Sequence, residues 1–107
     1  MEIYKANLGD VRKILRIVQI LHLDIPDFVW TSEEFIKKQI ERGEYYIAGQ
    51  NGKAVGAISL RDRSGILYIE TLAVAKDVQS KGIGTKLVDF AKKFAKDKGF
   101  KILRTTS

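Results

Sequence analysis

Two places in this sequence hold residue types whose spacing could do chemistry. The first is Gln79-Ser80-Lys81-Gly82-Ile83-Gly84-Thr85, which stands between an apolar run and an amphipathic one. The first turn of a helix presents unpaired N–H groups and a partial positive charge, which together attract phosphate. Gly82 and Gly84 remove side chains where a ligand must approach the backbone; Lys81 and Lys86 add charge, and Thr85 adds a hydroxyl. The second place is Glu70, a carboxylate inside the apolar run from Ile66 to Val74. Burying such a charge is costly without a purpose. The plainer alternatives are a pair with a lysine or arginine, or a side chain that reaches solvent.

Other candidates carry less. His22 is the single histidine and closes a helical run, where a cap is the simpler reading. It cannot form a metal site alone, and with no cysteine there is neither a thiolate site nor a disulfide, so no metal is expected. Phe28, Trp30 and Tyr45 read as core or lid packing before pocket lining.

The elements that must position these residues follow from periodicity. Ile3 to Ala6 reads as a short strand. Val11, Ile14, Leu15, Val18 and Leu21 share one helical face, with Asn7 and Asp10 as cap and capping partner. Ile25-Pro26 breaks that period. Thr31 and Glu34 open a second helix that runs to about Arg42, with Gly43 as its stop. Tyr45–Ala48 and Ala54–Leu60 flank Asn51-Gly52, the strongest short hairpin signal. A second turn at residues 62–65 leads into the strand Ile66–Val74. After Gly84 the helical period returns in Leu87, Phe90, Ala91 and Phe94 and ends at Gly99. Lys101–Thr105 closes a βαβ unit as a strand parallel to Ile66–Val74. The order is β-α-α-β-β-β-α-β, an α/β protein with a mixed sheet. Strict alternation places Tyr68, Glu70 and Leu72 on one face of the Ile66–Val74 strand, and Leu67, Ile69, Thr71 and Ala73 on the other.

A chain of 107 residues is sized for one domain, 1–107. It has no apolar run of the roughly 18–20 residues that span a bilayer and no secretory pattern at its start. Lack of cysteine fits a reducing cytoplasm. The net charge of +6 lies wholly in residues 76–107, where nine Lys/Arg face three acidic residues. Such asymmetry suggests an anionic partner near that segment, although a solvated lysine face is the common alternative. The loop is not the Gly-x-Gly-x-x-Gly dinucleotide pattern and lacks the Gly-Lys-Ser/Thr of a P-loop, which disfavours hydride transfer and NTP hydrolysis.

Leu72-Ala73-Val74 followed by Gln79-Ser80-Lys81-Gly82-Ile83-Gly84 resembles the GNAT family of N-acetyltransferases. That family's diagnostic motif is Arg/Gln-x-x-Gly-x-Gly/Ala at a helix start, after a strand ending in Leu-x-Val. The element order resembles the same acyl-CoA N-acyltransferase fold over nearly all of the chain. The resemblance implies acetyl-CoA as acyl donor. Its pantetheine arm would pair with the backbone of Leu72, Ala73 and Val74, and its pyrophosphate would sit over the amides from Gln79 to Thr85, through Ser80, Lys81, Gly82, Ile83 and Gly84. It also implies direct attack of an amine on the thioester, with backbone N–H groups polarising the carbonyl and a base taking the amine proton. Glu70 is the first candidate for that base, and Tyr68 the second.

The family normally continues with a helix, whose Tyr is often the acid for the leaving thiolate, and two further strands. On that pattern the expectation is a sheet lacking these parts, with an open edge at Lys101–Thr105 that favours a homodimer or swapped assembly. Two other readings stand beside the enzyme. A basic module for nucleic acid or protein would interleave aromatics with its cations, whereas Phe90 and Phe94 fall on the apolar side. A non-catalytic acetyl-CoA sensor would share the binding residues. The acceptor amine is not legible in the sequence.

Overall fold

Asn51 and Gly52 have φ of 54° and 76°. Consecutive left-handed residues make the two-residue turn whose twist matches the strands on either side. Ser64 and Gly65 repeat this at 56° and 84°, and the Asp62 carboxylate accepts from the Gly65 N–H at 3.1 Å. These turns tie β2 (Tyr45–Gln50), β3 (Lys53–Arg63) and β4 (Ile66–Val74) into an antiparallel meander. β1 (Glu2–Lys5) lies antiparallel to β2, and β5 (Ile102–Thr105) parallel to β4, so the sheet order is β1-β2-β3-β4-β5. The helices are α1 (Val11–Val18), α2 (Glu33–Glu41) and α3 (Ile83–Asp97). This computed structural model describes residues 2–18, 33–75, 82–100 and 102–105.

The mixed sheet and element order match the expectation from sequence. β3 runs to Arg63 rather than ending at Leu60, because the second turn needs only Ser64 and Gly65. α3 starts at Ile83 rather than after Gly84, because Ile83 is buried and begins the period that Leu87, Ala91 and Ala95 continue. The expected cap of the first helix is present: Asn7 Oδ1 accepts from the Gly9 N–H at 2.9 Å, and Asp10 Oδ2 from the Asn7 N–H at 3.0 Å. A short 3₁₀ turn, Leu8–Asp10, intervenes before α1. His22, Phe28, Trp30 and Thr31 lie outside the described residues.

Each face of the sheet has its own core. α1 and α2 lay Ile14, Ile17, Val18, Ile36 and Ile40 over Tyr45, Ile47, Ala57 and Ala73. α3 lays Ile83, Leu87, Ala91 and Ala95 over Val55, Ile58, Leu60, Leu67 and Ile69. Full burial of each large side chain here stabilises the fold by roughly 1.5–3 kcal/mol. The α3 side adds a ring cluster, with Tyr46 centred 5.0 Å from Phe90 and 5.7 Å from Phe94. Gly56 lets α3 come down close: a Cβ there would lie 2.9 Å from Leu87 Cδ1 and 3.3 Å from the Ala73 carbonyl oxygen. A glycine inside a strand often marks such an approach.

Candidate active site

The site begins with one extra residue. Ser59 of β3 pairs with Thr71, but the next residue, Leu60, pairs with Ile69. Glu70 is therefore a bulge, two residues of β4 standing opposite one step of β3. A bulge shifts the alternation by one place. Leu67 and Ile69 belong to the α3 core, and past the bulge Leu72 and Val74 pack there too, while Ala73 turns to the α1/α2 core. The strict alternation expected from sequence is thus corrected: Leu72 leaves the face of Glu70. Thr71 joins that face, its side chain acting on Tyr45 of the α1/α2 core.

The bulge aims Glu70 at a set of polar groups. Its Oε1 accepts from Arg63 at 2.6 Å and lies 3.5 Å from an Arg61 guanidinium nitrogen. Gln39 of α2 donates from Nε2 to Glu70 Oε2 at 3.5 Å and to Ser59 Oγ at 3.2 Å. The Glu70 side chain is only 4% exposed. A buried carboxylate is tolerated when paired and hydrogen-bonded in this way. The reading of Glu70 as the partner of an arginine therefore describes its contacts, and any proton it takes must be reached inside that clasp. The Arg63 guanidinium also stands 5.5 Å from the centre of the Tyr68 ring.

Beneath lies a row of hydroxyls in register across three strands. Tyr45 pairs with Ser59, and Ser59 with Thr71, all buried. The Tyr45 hydroxyl and Gln39 Oε1 lack a well-formed hydrogen bond among the described residues. Burial pushes the Tyr45 pKa well above the ordinary tyrosine range, with the Thr71 side chain opposing and the Glu70 charge adding to the rise. Half-buried Glu44 is likewise raised by burial, against the pull of Arg42 and Arg61. The sequence reading missed Gln39, Ser59 and Thr71. A signal existed for Gln39, which sits three residues after Ile36 and beside Ile40, on the buried stripe of α2.

The other half of the site is where β4 meets α3. Gly82 has φ 73° and provides no side-chain cap, so the first N–H groups of α3 keep their outward polarity. A Cβ on Gly82 would meet nothing within 4 Å. One on Gly84 would lie 3.7 Å from Val74 Cγ2, so the first turn of α3 stands beside the end of β4. Pairing of β4 with β5 is described for Ile66–Ile69, while pairing with β3 continues to Val74.

The model of the acetyltransferase (GNAT) family matches residues 15–107. The chain belongs to this family. No curated protein matches this acetyltransferase. Its fold is shared with solved structures. PaiA N-acetyltransferase from Thermoplasma acidophilum, in complex with coenzyme A, superposes with TM-score 0.78 at 20% identity, over 92% of this chain and 74% of that one. A ribosomal-protein-alanine N-acetyltransferase from Brucella melitensis gives TM-score 0.77 at 17% identity, over 99% and 79%. An aminoglycoside acetyltransferase from a soil metagenomic sample, in complex with sisomicin, gives 0.73 at 21%, over 99% and 76%.

In this acetyltransferase Tyr68, Glu70, Leu72, Ala73 and Val74 share one strand, and Gly82, Ile83, Gly84 and Thr85 open the helix beside its end. Gln79, Ser80 and Lys81 lie outside the described residues. Ile83 differs from its neighbours in facing the core at 2% exposure, where it supports the turn from below. Phe90 and Phe94 of α3 turn toward Tyr46, and the Lys98 ammonium, just past the helix, stands 5.9 Å from the centre of the Phe94 ring. No described helix is long and apolar enough to cross a membrane, and no described group of His, Asp or Glu could hold a metal.

Proposed function

We propose that this chain, acting as one domain over 1–107, transfers an acetyl group from acetyl-CoA to a primary amine by direct attack on the thioester. The observation behind the reading is the uncapped, glycine-led start of α3 set against the end of β4. Those residues fit the donor. Open space over Gly82 admits a pyrophosphate to the amides of Ile83, Gly84 and Thr85, with Gln79, Ser80 and Lys81 completing the loop. Backbone groups of Leu72, Ala73 and Val74 hold the pantetheine arm in the manner of an added strand. Acetyl-CoA supplies an activated acyl carbon. The amine nitrogen bonds to that carbon, the carbon–sulfur bond breaks, and the sulfur departs with the electron pair.

The amine must shed a proton to attack, and Glu70 is the residue we assign to take it, through water, because its carboxylate lies midway along β4. Arg63, Arg61 and Gln39 fix its orientation. Tyr68, two residues earlier in the strand, is the second candidate. A thermal-shift titration with acetyl-CoA tests the donor site, run beside Gly84→Glu, which places a carboxylate where the phosphates belong and finds ordinary packing space. Ligand at a hundredfold excess over Kd stabilises the folded state by about 2.7 kcal/mol. A rise in Tm in the wild type and none in the variant is expected. A folded wild type that acetyl-CoA does not stabilise would overturn the reading.

A further inference from the structure

The arginines of this chain are placed unlike its lysines. The cations of α3 are all lysines, whereas Arg61 and Arg63 reach Glu70, Arg42 and Arg61 act on Glu44, and Arg104 stands across from Tyr68. Register defines the group. Arg61 of β3 pairs with Tyr68 of β4, and Tyr68 pairs with Arg104 of β5, so the three form a row across one face of the sheet. Arg63 leans over the Tyr68 ring from the same side.

Arginine and lysine differ in what they recognise. A lysine is a hydrated point charge, but a guanidinium offers a rigid fork of donors matched to the two oxygens of a carboxylate or phosphate. Arg61 and Arg63 direct nitrogens to the same oxygen of Glu70, and their side chains are still 34% and 48% exposed, so further donors face outward. Arg104 is exposed and makes no ion pair with a described residue. Two carboxylates against four guanidiniums leave the patch positive. The ring of Tyr68 at its centre gives a planar surface beside the carboxylate assigned to the amine proton.

We propose that Arg61, Arg63 and Arg104 bind an anionic group, a carboxylate or a phosphate, carried by the acceptor amine. That the anion belongs to the acceptor rests on the acetyl-transfer reading; that the row binds an oxyanion does not. The substrate class is then an amine with an anionic group a few bonds away, such as an amino acid or an amino phosphate. Polycationic amines are disfavoured by the same charges.

The arginine side-chain N–H resonances of the full ¹⁵N-labelled chain test this directly. The titrants are N-acetylglycine, inorganic phosphate and, as neutral control, N-acetylglycinamide. Arg61, Arg63 and Arg104 shift saturably with an anion and not with the amide, while Arg12 and Arg16 on α1 stay in place. The tighter of the two anions names the source. Arg104→Gln, at an exposed position, weakens anion binding about tenfold, as expected for loss of a charge-assisted contact, and leaves Tm unchanged. Equal shifts at all six arginines, no saturation, or an unaltered affinity in Arg104→Gln would each overturn the proposal. An acetyl-CoA response without an anion response removes this proposal alone; an anion response without acetyl-CoA binding removes the transfer reading and keeps the site.

Discussion

The two faces of the sheet are built on different terms. Under α3 the contacts are almost wholly apolar, Leu87, Ile58 and Leu67 with the Tyr46–Phe90–Phe94 rings around them. Under α1 and α2 the apolar core is interrupted by Gln39, Ser59, Thr71 and the clasped carboxylate of Glu70. Both faces carry an apolar core; the difference is that on the α1/α2 side a set of polar groups interrupts it and holds a carboxylate dry and oriented.

Substitutions can break that division. Leu87→Ala removes a fully buried side chain from the α3 face and should cost about 2–5 kcal/mol in urea unfolding. Its effect on turnover per folded molecule should be small. Arg63→Gln leaves Glu70 with weaker partners in its pocket and should cost about 1–3 kcal/mol, because a buried charge loses a hydrogen bond. The same variant should lower kcat for acetyl transfer more than it raises KM. Gln39→Leu is the sharper case. It removes a buried oxygen that has no partner among the described residues as well as two donated hydrogen bonds, so stability should change by no more than about 1 kcal/mol, while the pH profile of kcat moves. A loss as large as that of Leu87→Ala would show that the polar set is structural after all.

The smallest effect concerns Glu44. Burial raises its carboxyl pKa, against Arg42 and Arg61, with Glu70 adding to the rise and Arg63 opposing it. A carboxyl whose folded pKa is raised contributes stability below its unfolded pKa, and this is lost as pH rises through the folded value. Glu44→Gln should therefore raise Tm slightly at neutral pH, and the gain should vanish in acid below the ordinary glutamate range. A variant less stable than wild type at neutral pH would mean that the arginines outweigh burial.

The meander, the βαβ unit and the glycine-led helix were legible because local chemistry writes them. Asn51-Gly52 tolerates left-handed dihedrals, and Leu87, Ala91 and Ala95 recur at helical spacing. Glu70 stood out by type. Its surroundings did not, because a bulge adds a residue without any mark in a strand of alternating apolar side chains. Strict alternation therefore put Thr71 and Leu72 on the wrong faces. The clasp is non-local as well: Gln39 lies 31 residues from Glu70 in the chain, and only the fold brings them together.

The two tight turns also set an order of assembly. Strands β2, β3 and β4 meet through two-residue connections, so their closure loses little chain entropy and can proceed on the microsecond scale of isolated hairpins. β5 joins β4 through the crossover that contains α3, and β1 joins β2 through a still longer segment that contains α1 and α2, so both outer strands are more costly to recruit than the meander. The outer strands arrive after the meander and leave before it. Backbone amides of Ile102–Thr105 should exchange with solvent ahead of those in β3, and the edge beside Tyr68 should open without the rest of the sheet unfolding.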